Sequence, residues 1–422
     1  MAINITKVVN EINSRVLDSS RSATELSQLF AASSRIENSG VNALTYRSTG
    51  HLPSTADSNN IGSLVFVEAD NVFGDSSGRF YYASSRDSGW LAITTAQDSD
   101  EATITASSGA EPSVRQAANY GFTAGGKMPA IGAPWNYIQK FALASDANAT
   151  DVGDTTDYKT QNVGTSSSTH GYSMGAFIGY GPNNPSTSNV IEKWSHTSDG
   201  NAADAGDLLA ATRMGSSAFS PTDGFYMAGY TTPGSNLDTI QKFPFASDGN
   251  TADTNANILV TTRTAASCMS STHGYVLGGY PSGPTAPGDY VDTIQKFPFA
   301  SGSDATDVGN LLAGNSQGDG KQSDTHGYHS GGNGAVPAPG ARNEIQKFTL
   351  ASDANATDVG NLTVSRYPGA SLGVASTASG YTAGGAAPYV NTIDKHSLSS
   401  DGDATDVGDM LSPALQYATS QN

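Results

Sequence analysis

Four oxygen-bearing residues in "DANATDVGD" are spaced as ligands for a hard cation: Asp146, Asn148, Thr150 and Asp154 stand at positions 1, 3, 5 and 9. Calcium takes about six to eight oxygens, and a tight turn rich in carboxylate, amide and hydroxyl groups supplies them. Related loops recur along the chain, with departures. Position 5 is Ala203 and Ala252 in two copies, and position 1 is Gly302 in another. Asp151 takes the sixth place, where such loops favour glycine. The same side chains can also shape a turn without metal, by accepting hydrogen bonds from nearby backbone N–H groups. Calcium and a purely structural loop are both expectations here.

Other chemistry-bearing groups fall on repeated positions. "GYSMG" matches the pattern around a nucleophilic serine, but Ser173 stands where "GYVLG" has Val276, inside a strand rather than at a strand-to-helix turn. His170, His273 and His326 occupy one equivalent position each, too scattered to share a metal. Lys140, Lys193, Lys242, Lys296, Lys347 and Lys395 recur in the third place of "IQKF"-like elements. Alternation puts each on the side of its Ile, and two expectations stay open: its ammonium pairs with a loop aspartate, Asp151 in the first copy, or it is a solvated charge on an outer strand. An enzyme needs a unique constellation, and no phosphate-cradling loop, HExxH or separate carboxylate pair is found, so no enzymatic activity is expected.

Bulk properties narrow the partners. The net charge of −18 disfavours binding to nucleic acid through phosphates and to anionic membranes. No apolar run approaches the roughly 18 residues that span a bilayer, so membrane insertion is not expected. Cys268 is the sole cysteine, which excludes an intramolecular disulfide and a zinc site of cysteine pairs. The N-terminus has no basic region followed by an apolar core, so synthesis and folding in a cytoplasm are expected. Charged residues make up 14 % and glycines number 47, a composition that suits short strands and tight turns.

The elements that position these groups form a repeat. A Gly-aromatic pair places Phe122, Tyr172, Phe225, Tyr275, Tyr328 and Tyr381 at intervals of 50, 53, 50, 53 and 53 residues. "IQKF", "IEKW", "IQKF", "IQKF", "IQKF" and "IDKH" follow in turn, and the Asx-rich loop comes third. Each of six copies carries about four short strands. In the fourth copy we expect them at 265–270, 274–279, 293–299 and 310–313. Units of this size with four strands are propeller blades in scale. The first copy starts at its second strand, 120–126, so a C-terminal strand near 414–420 is expected to complete it. The fold class expected is mainly β: a six-bladed β-propeller over 117–422, closed by the C-terminal strand.

"TTRTAASCMSSTHGYVLGGY…DTIQKF" resembles a kelch-type blade, with Arg263 before the first strand, Gly278-Gly279 ending the second and Ile294–Phe297 in the third. Arg213 and Arg366 stand in the corresponding place in two other copies, whereas the family's usual fourth-strand Trp is missing.

Ahead of the repeats, Ile5, Val9, Ile12, Val16, Ser19, Ala23, Leu26 and Phe30 alternate steps of four and three, a heptad seam that favours self-association. "SATE" at 22–25 is a capping box, so one continuous helix and two short ones remain open over residues 1–40. Residues 41–98 read as a small β module with strands in "SLVFVEA", "GRFYYASS" and "GWLAIT", and residues 99–116 as a linker. With Leu52-Pro53, Gly62, Tyr81 and Gly89-Trp90 as markers, this module resembles one found in tail and fibre proteins of tailed bacteriophages. The repeat vocabulary "IQKFPFASDGNATDVG…STHGY" is similar to propeller segments of virion structural proteins of marine tailed phages, particularly cyanophages.

The resemblance implies a virion protein, a tail or tail-fibre component. Its N-terminal region would join other tail proteins and its propeller would face a host-surface glycan or protein. A homo-oligomer, with a trimer favoured, fits the seam. An architectural neck, tail-hub or capsid-decoration protein is the alternative, and a polysaccharide-active enzyme a third. Loops between second and third strands vary most, and Trp135, Tyr137, Tyr180, Tyr230, Tyr280 and Tyr290 are the candidate binding aromatics.

Overall fold

The computed structural model describes residues 43–46, 64–67, 79–83, 90–94 and 105–106, and all of 117–422 except 129–132, 180–185, 233, 282–288, 335–339 and 370–371. The described residues are mainly β-strand in several sheets, without a helix. The expected helical segment 1–40 lies outside them. By its contacts the chain divides into Met1–Ser113 and Val114–Asn422.

In the first part, Ala43–Tyr46, Leu64–Val67, Arg79–Ala83, Trp90–Thr94 and Thr105–Ala106 form a five-stranded sheet in chain order. The first two strands are parallel and the rest antiparallel. The last strand falls inside the stretch expected to be linker, so the sheet runs further along the chain than alternation alone indicated.

The second part repeats one antiparallel four-stranded unit. The fourth unit consists of Ala266–Met269, His273–Pro281, Val291–Pro298 and Thr306–Asn310. The second holds Val163–Ser166, His170–Ile178, Ser186–Ser195 and Ala203–Asp207. The third holds Ser216–Phe219, Asp223–Met227, Ser235–Pro244 and Ala252–Arg263. The fifth follows with Asp319–Gln322, His326–Ser330, Glu344–Thr349 and Thr357–Asn361. The sixth has Val374–Ala375, Ser379–Gly385, Val390–Ser397 and Thr405–Asp409. The first is made of Tyr120–Ala124, Ala133–Ala142 and the start of Thr150–Thr160. Its missing strand is Ala418–Gln421, which pairs antiparallel with Tyr120–Ala124 in the register Ala418↔Ala124 to Gln421↔Gly121.

Two packing rules explain the recurring words. The glycine of each Gly-aromatic pair lies directly opposite the aromatic of "IQKF": Gly121↔Phe141, Gly171↔Trp194, Gly224↔Phe243, Gly274↔Phe297, Gly327↔Phe348 and Gly380↔His396. A Cβ at any of these glycines would overlap the facing ring. The Ile of the same element, from Ile138 to Ile393, is at most 1 % exposed in every unit. Burial of each such side chain contributes roughly 1.5–3 kcal/mol.

The fourth strand departs from expectation. It is the "TDVGN" stretch itself, Thr306–Asn310 in the fourth unit, not the residues after it. Glycine and aspartate are poor strand formers, but a bulge between Ile294 and Gln295 lets Gly309 pair with Ile294.

Successive units are joined by side chains of the same words. Asn201 Oδ1 accepts the Asp154 N–H at 3.0 Å, and Asn250–Asp207, Asp304–Asn257, Asn355–Asn310, Asp403–Asn361 and Asn148–Asp409 repeat the contact. The second residue of "IQK" accepts another N–H from the preceding unit: Glu192 from Thr156, Gln241 from Leu209, Gln295 from Val260, Gln346 from Leu312, Asp394 from Thr363 and Gln139 from Leu411. In both series the last contact joins the sixth unit to the first.

The lysines pair between units as well. Lys140 meets Asp199, Lys193 meets Asp248, Lys296 meets Asp353 at 3.3 Å, Lys347 meets Asp401, and Lys395 meets Asp146 at 3.2 Å. The pairing expected with Asp151 is corrected: Asp151 accepts from the Gly153 N–H two residues on, and Lys140 reaches the next unit's loop instead. Lys242 is the informative exception. Its counterpart aspartate is replaced by Gly302, and among the described residues it makes no ion pair and is exposed.

Candidate functional site

An antiparallel four-stranded unit has two ends. One carries the turn between first and second strands and the Asx-rich loop. The other carries the variable loop between second and third strands, together with the passage to the next unit.

At the first end the chemistry is local. His170, His273 and His326 each place Nδ1 at 2.8–2.9 Å from the hydroxyl of the preceding threonine, Thr169, Thr272 or Thr325. Burial, and then the neighbouring Lys193 or Lys347, lowers the pKa of His170 and His326. Ser173 lies in the middle of a strand, fully buried, with its hydroxyl accepting from Asn162 Nδ2 at 2.9 Å. That placement is the opposite of an exposed nucleophile.

The proposed calcium oxygens have separate partners. Asp146 takes Lys395, Asn148 caps the Asp409 N–H, and the Thr150 hydroxyl faces the Lys140 carbonyl at 3.4 Å. Thr150 and Asp154 sit in one strand, paired with Lys140 and Tyr137. Four residues of extended chain separate them by about 13 Å. The loop therefore works here as a clasp between units. Among the described residues no group of three or more His, Cys, Asp or Glu side chains is placed to hold a metal.

At the second end, Trp135 is 3 % exposed and part of the core, so it offers no surface to a ligand, whereas Tyr137 beside it is 39 % exposed. Tyr180 lies outside the described residues. Tyr230, Tyr280 and Tyr290 are half-buried and joined by arginines into a ladder. The Arg213 guanidinium lies 4.8 Å from the Phe177 ring and 5.4 Å from Tyr230; that of Arg263 lies 4.5 Å from Tyr230 and 4.6 Å from Tyr280. Tyr280 meets Tyr290 edge to face at 5.8 Å, and the Tyr290 hydroxyl accepts from Asn333 at 2.8 Å. Each cation–π contact is worth about 0.5–2 kcal/mol. The ladder crosses the second, third and fourth units and reaches the fifth.

Arg366 does not share this role, which corrects its alignment with Arg213 and Arg263. Its carbonyl accepts from Gly332 as that of Thr262 does from Gly229 and that of Lys159 from Gly126, so it matches Thr262 and Lys159, one residue before the ladder position. Fully buried, it pairs with Asp394 at 3.0 Å, as Lys159 pairs with Glu192 at 2.9 Å. Those two acids replace the usual Gln of "IQK". At the same two junctions a threonine of the preceding unit, Thr156 or Thr363, replaces the leucine found at Leu209, Leu312 and Leu411, and its hydroxyl donates to the carboxylate. "IEKW" and "IDKH" carried this signal, but the cation partners are distant in sequence. A third buried pair, Lys321–Asp319 at 2.6 Å, is closed to solvent like the others. Burial raises the Asp319 pKa and lowers that of Lys321.

Next to the ladder, six backbone turns meet at Gln161, Met214, Thr264, Gln317, Gly369 and Gln416, all with φ between 54° and 71°. Each N–H donates to the carbonyl one unit back, from Gln161 N to Gln416 O at 2.7 Å through to Gln416 N to Pro368 O at 3.4 Å. The cavity among them has about 20 Å³ of free volume, room for a water rather than an organic ligand.

The fold and site define a repeat protein of antiparallel four-stranded β units with an arginine–tyrosine face at one end. The chain matches no protein-family model, and no curated protein is significantly similar to it.

Proposed function

We propose that this protein is a virion structural component of a tailed bacteriophage, a tail or tail-fibre protein, and that residues 117–422 form a closed six-bladed kelch-like propeller displayed for attachment to a host surface. One observation carries the architectural half: the junction between the sixth and first units repeats the contacts of the others, Asn148–Asp409 and Gln139–Leu411 as at every junction and Lys395–Asp146 as at all but the Lys242 one. The Ala418–Gln421 strand inside the first unit supports the same reading. Attachment rests on the phage resemblance and on the ladder face, where chemistry-bearing side chains outside the repeated clasps are gathered. In this reading the N-terminal region joins other tail proteins as a homo-oligomer, with a trimer favoured, and the protein is not an enzyme.

The architectural alternative, a neck, tail-hub or capsid-decoration protein, is favoured by one feature of the same end. Leu209, Leu259, Leu312 and Leu411 are each about half exposed there, as side chains buried by a protein neighbour would be. Adsorption competition separates the readings. Purified full-length protein is expected to bind host cells and to block adsorption of the parent phage. Failure to do either, with the protein located away from the tail tip in imaged particles, refutes attachment.

A further inference from the structure

Among the described residues of the repeat domain, most lysines and arginines lie within ion-pair distance of a carboxylate; Lys127, Lys242, Arg213 and Arg263 do not. Two of these four share one tyrosine. Arg213 donates through Nη1 to the neutral Gln161 Oε1 at 3.0 Å, and Arg263 through Nη1 to the neutral Asn236 Oδ1 at 3.3 Å. Their Nη2 groups have no partner among the described residues and are not buried. Burial lowers the Arg213 pKa, and the neighbouring Arg263 charge adds to the effect. A chain of net charge −18 thus holds two like charges against one tyrosine, with no described carboxylate within ion-pair distance of either.

Arginine forks match planar and tetrahedral oxyanions through paired N–H donors. The rings that would stack on a sugar are already engaged by the guanidinium groups, so the free valence of the ladder is cationic and hydrogen-bonding. We infer that Arg213 and Arg263, held by Tyr230 and Tyr280, form a subsite for the oxyanion substituent of an acidic polysaccharide. This deepens the attachment reading and rests on it. A uronate carboxylate and a sulfate or phosphate ester present the same chemistry to the pair.

The test is calorimetric titration of the full-length protein with dextran sulfate, polygalacturonate and neutral dextran. Binding of one or both charged polymers and none of dextran is expected, and the polymer preferred tells ester from carboxylate. R213Q and R263Q should each weaken binding about tenfold, the worth of one charge-assisted hydrogen bond. R213K and R263K retain the charge and cation–π support and serve if the glutamine variants unfold. K242Q, which removes an equal charge from an exposed unpaired lysine on the opposite end, should bind as the parent does. Unchanged binding by the double glutamine variant, an equal loss in K242Q, or no preference over dextran overturns the inference, as does failure of every polymer to bind. Host-cell adsorption by the double variant keeps the two readings apart. Adsorption at the parental level leaves attachment standing without this subsite, and absence of adsorption by the parent removes attachment itself.

Discussion

Replacing Glu192 by Gln copies the residue that four other units carry at this place, Gln139, Gln241, Gln295 and Gln346. It also leaves the Lys159 ammonium, 2 % exposed, without its carboxylate. An uncompensated buried charge of this kind costs about 3–5 kcal/mol. The backbone contact from Thr156 survives, because a glutamine oxygen accepts as well, so the loss belongs to the lysine. Adding Lys159→Thr recreates the Thr212–Gln241 combination of the next junction. The double variant is expected within about 1 kcal/mol of the parent, or above it, since neutral replacements of buried pairs are often stabilising by about 1–4 kcal/mol. Thermal and urea unfolding of parent, both single variants and the double variant form the cycle. At about 2–4 °C per kcal/mol, Glu192→Gln should lower the melting temperature by roughly 10 °C. A harmless Glu192→Gln, or a double variant no better than the worse single one, refutes the dependence of the buried Lys159 charge on the Glu192 carboxylate.

Lys296→Met removes an exposed ion pair and should cost no more than about 0.5 kcal/mol, a difference that fades in high salt, while Lys242→Met costs nothing measurable. Gly302→Asp will not supply the absent clasp and will destabilise, because its Cβ would lie 2.5 Å from the Thr254 carbonyl; a gain in melting temperature would contradict this. Burial holds His329 down to a pKa of about 3 and His396 well below 6.5. The unfolded chain therefore binds more protons below pH 6.5, and stability, full above that pH, should fall towards pH 3 by up to about 1.4 kcal/mol per unit for each histidine. Urea midpoints at pH 7, 5.5 and 4.5 check it, and a flat profile would contradict it. Millimolar calcium or chelator is expected to leave the melting temperature unchanged; a calcium-dependent rise would restore the Asx-rich loop as a metal site.

Much of the strand layout was legible because its causes are local. Alternation placed Ile294 in the core, and the glycine before Tyr275 marks the spot where the Phe297 ring must fit. The partner of Tyr120–Ala124 was legible from arithmetic, since the first copy lacked one strand and the C-terminus had one to spare. The fourth strand was misplaced because its residues favour turns, and a bulge in the neighbouring strand decided otherwise. Of the site aromatics, Tyr230, Tyr280 and Tyr290 fall together, but their linking arginines precede a different strand, where the sequence offers them only as a blade marker.

The amino-acid sequence by itself determined the number of units, their second and third strands and the place where glycine faces ring in each, since these follow from side-chain alternation, ring size and glycine over a few residues. Only the tertiary structure decided which unit answers which. Lys140 selects Asp199 over Asp151, Arg366 selects Asp394, and Trp135 turns inward while Arg263 stands between two tyrosines. Such choices depend on how neighbouring sheets stack, and residues some 30 to 60 positions apart meet only after every intervening strand is in place.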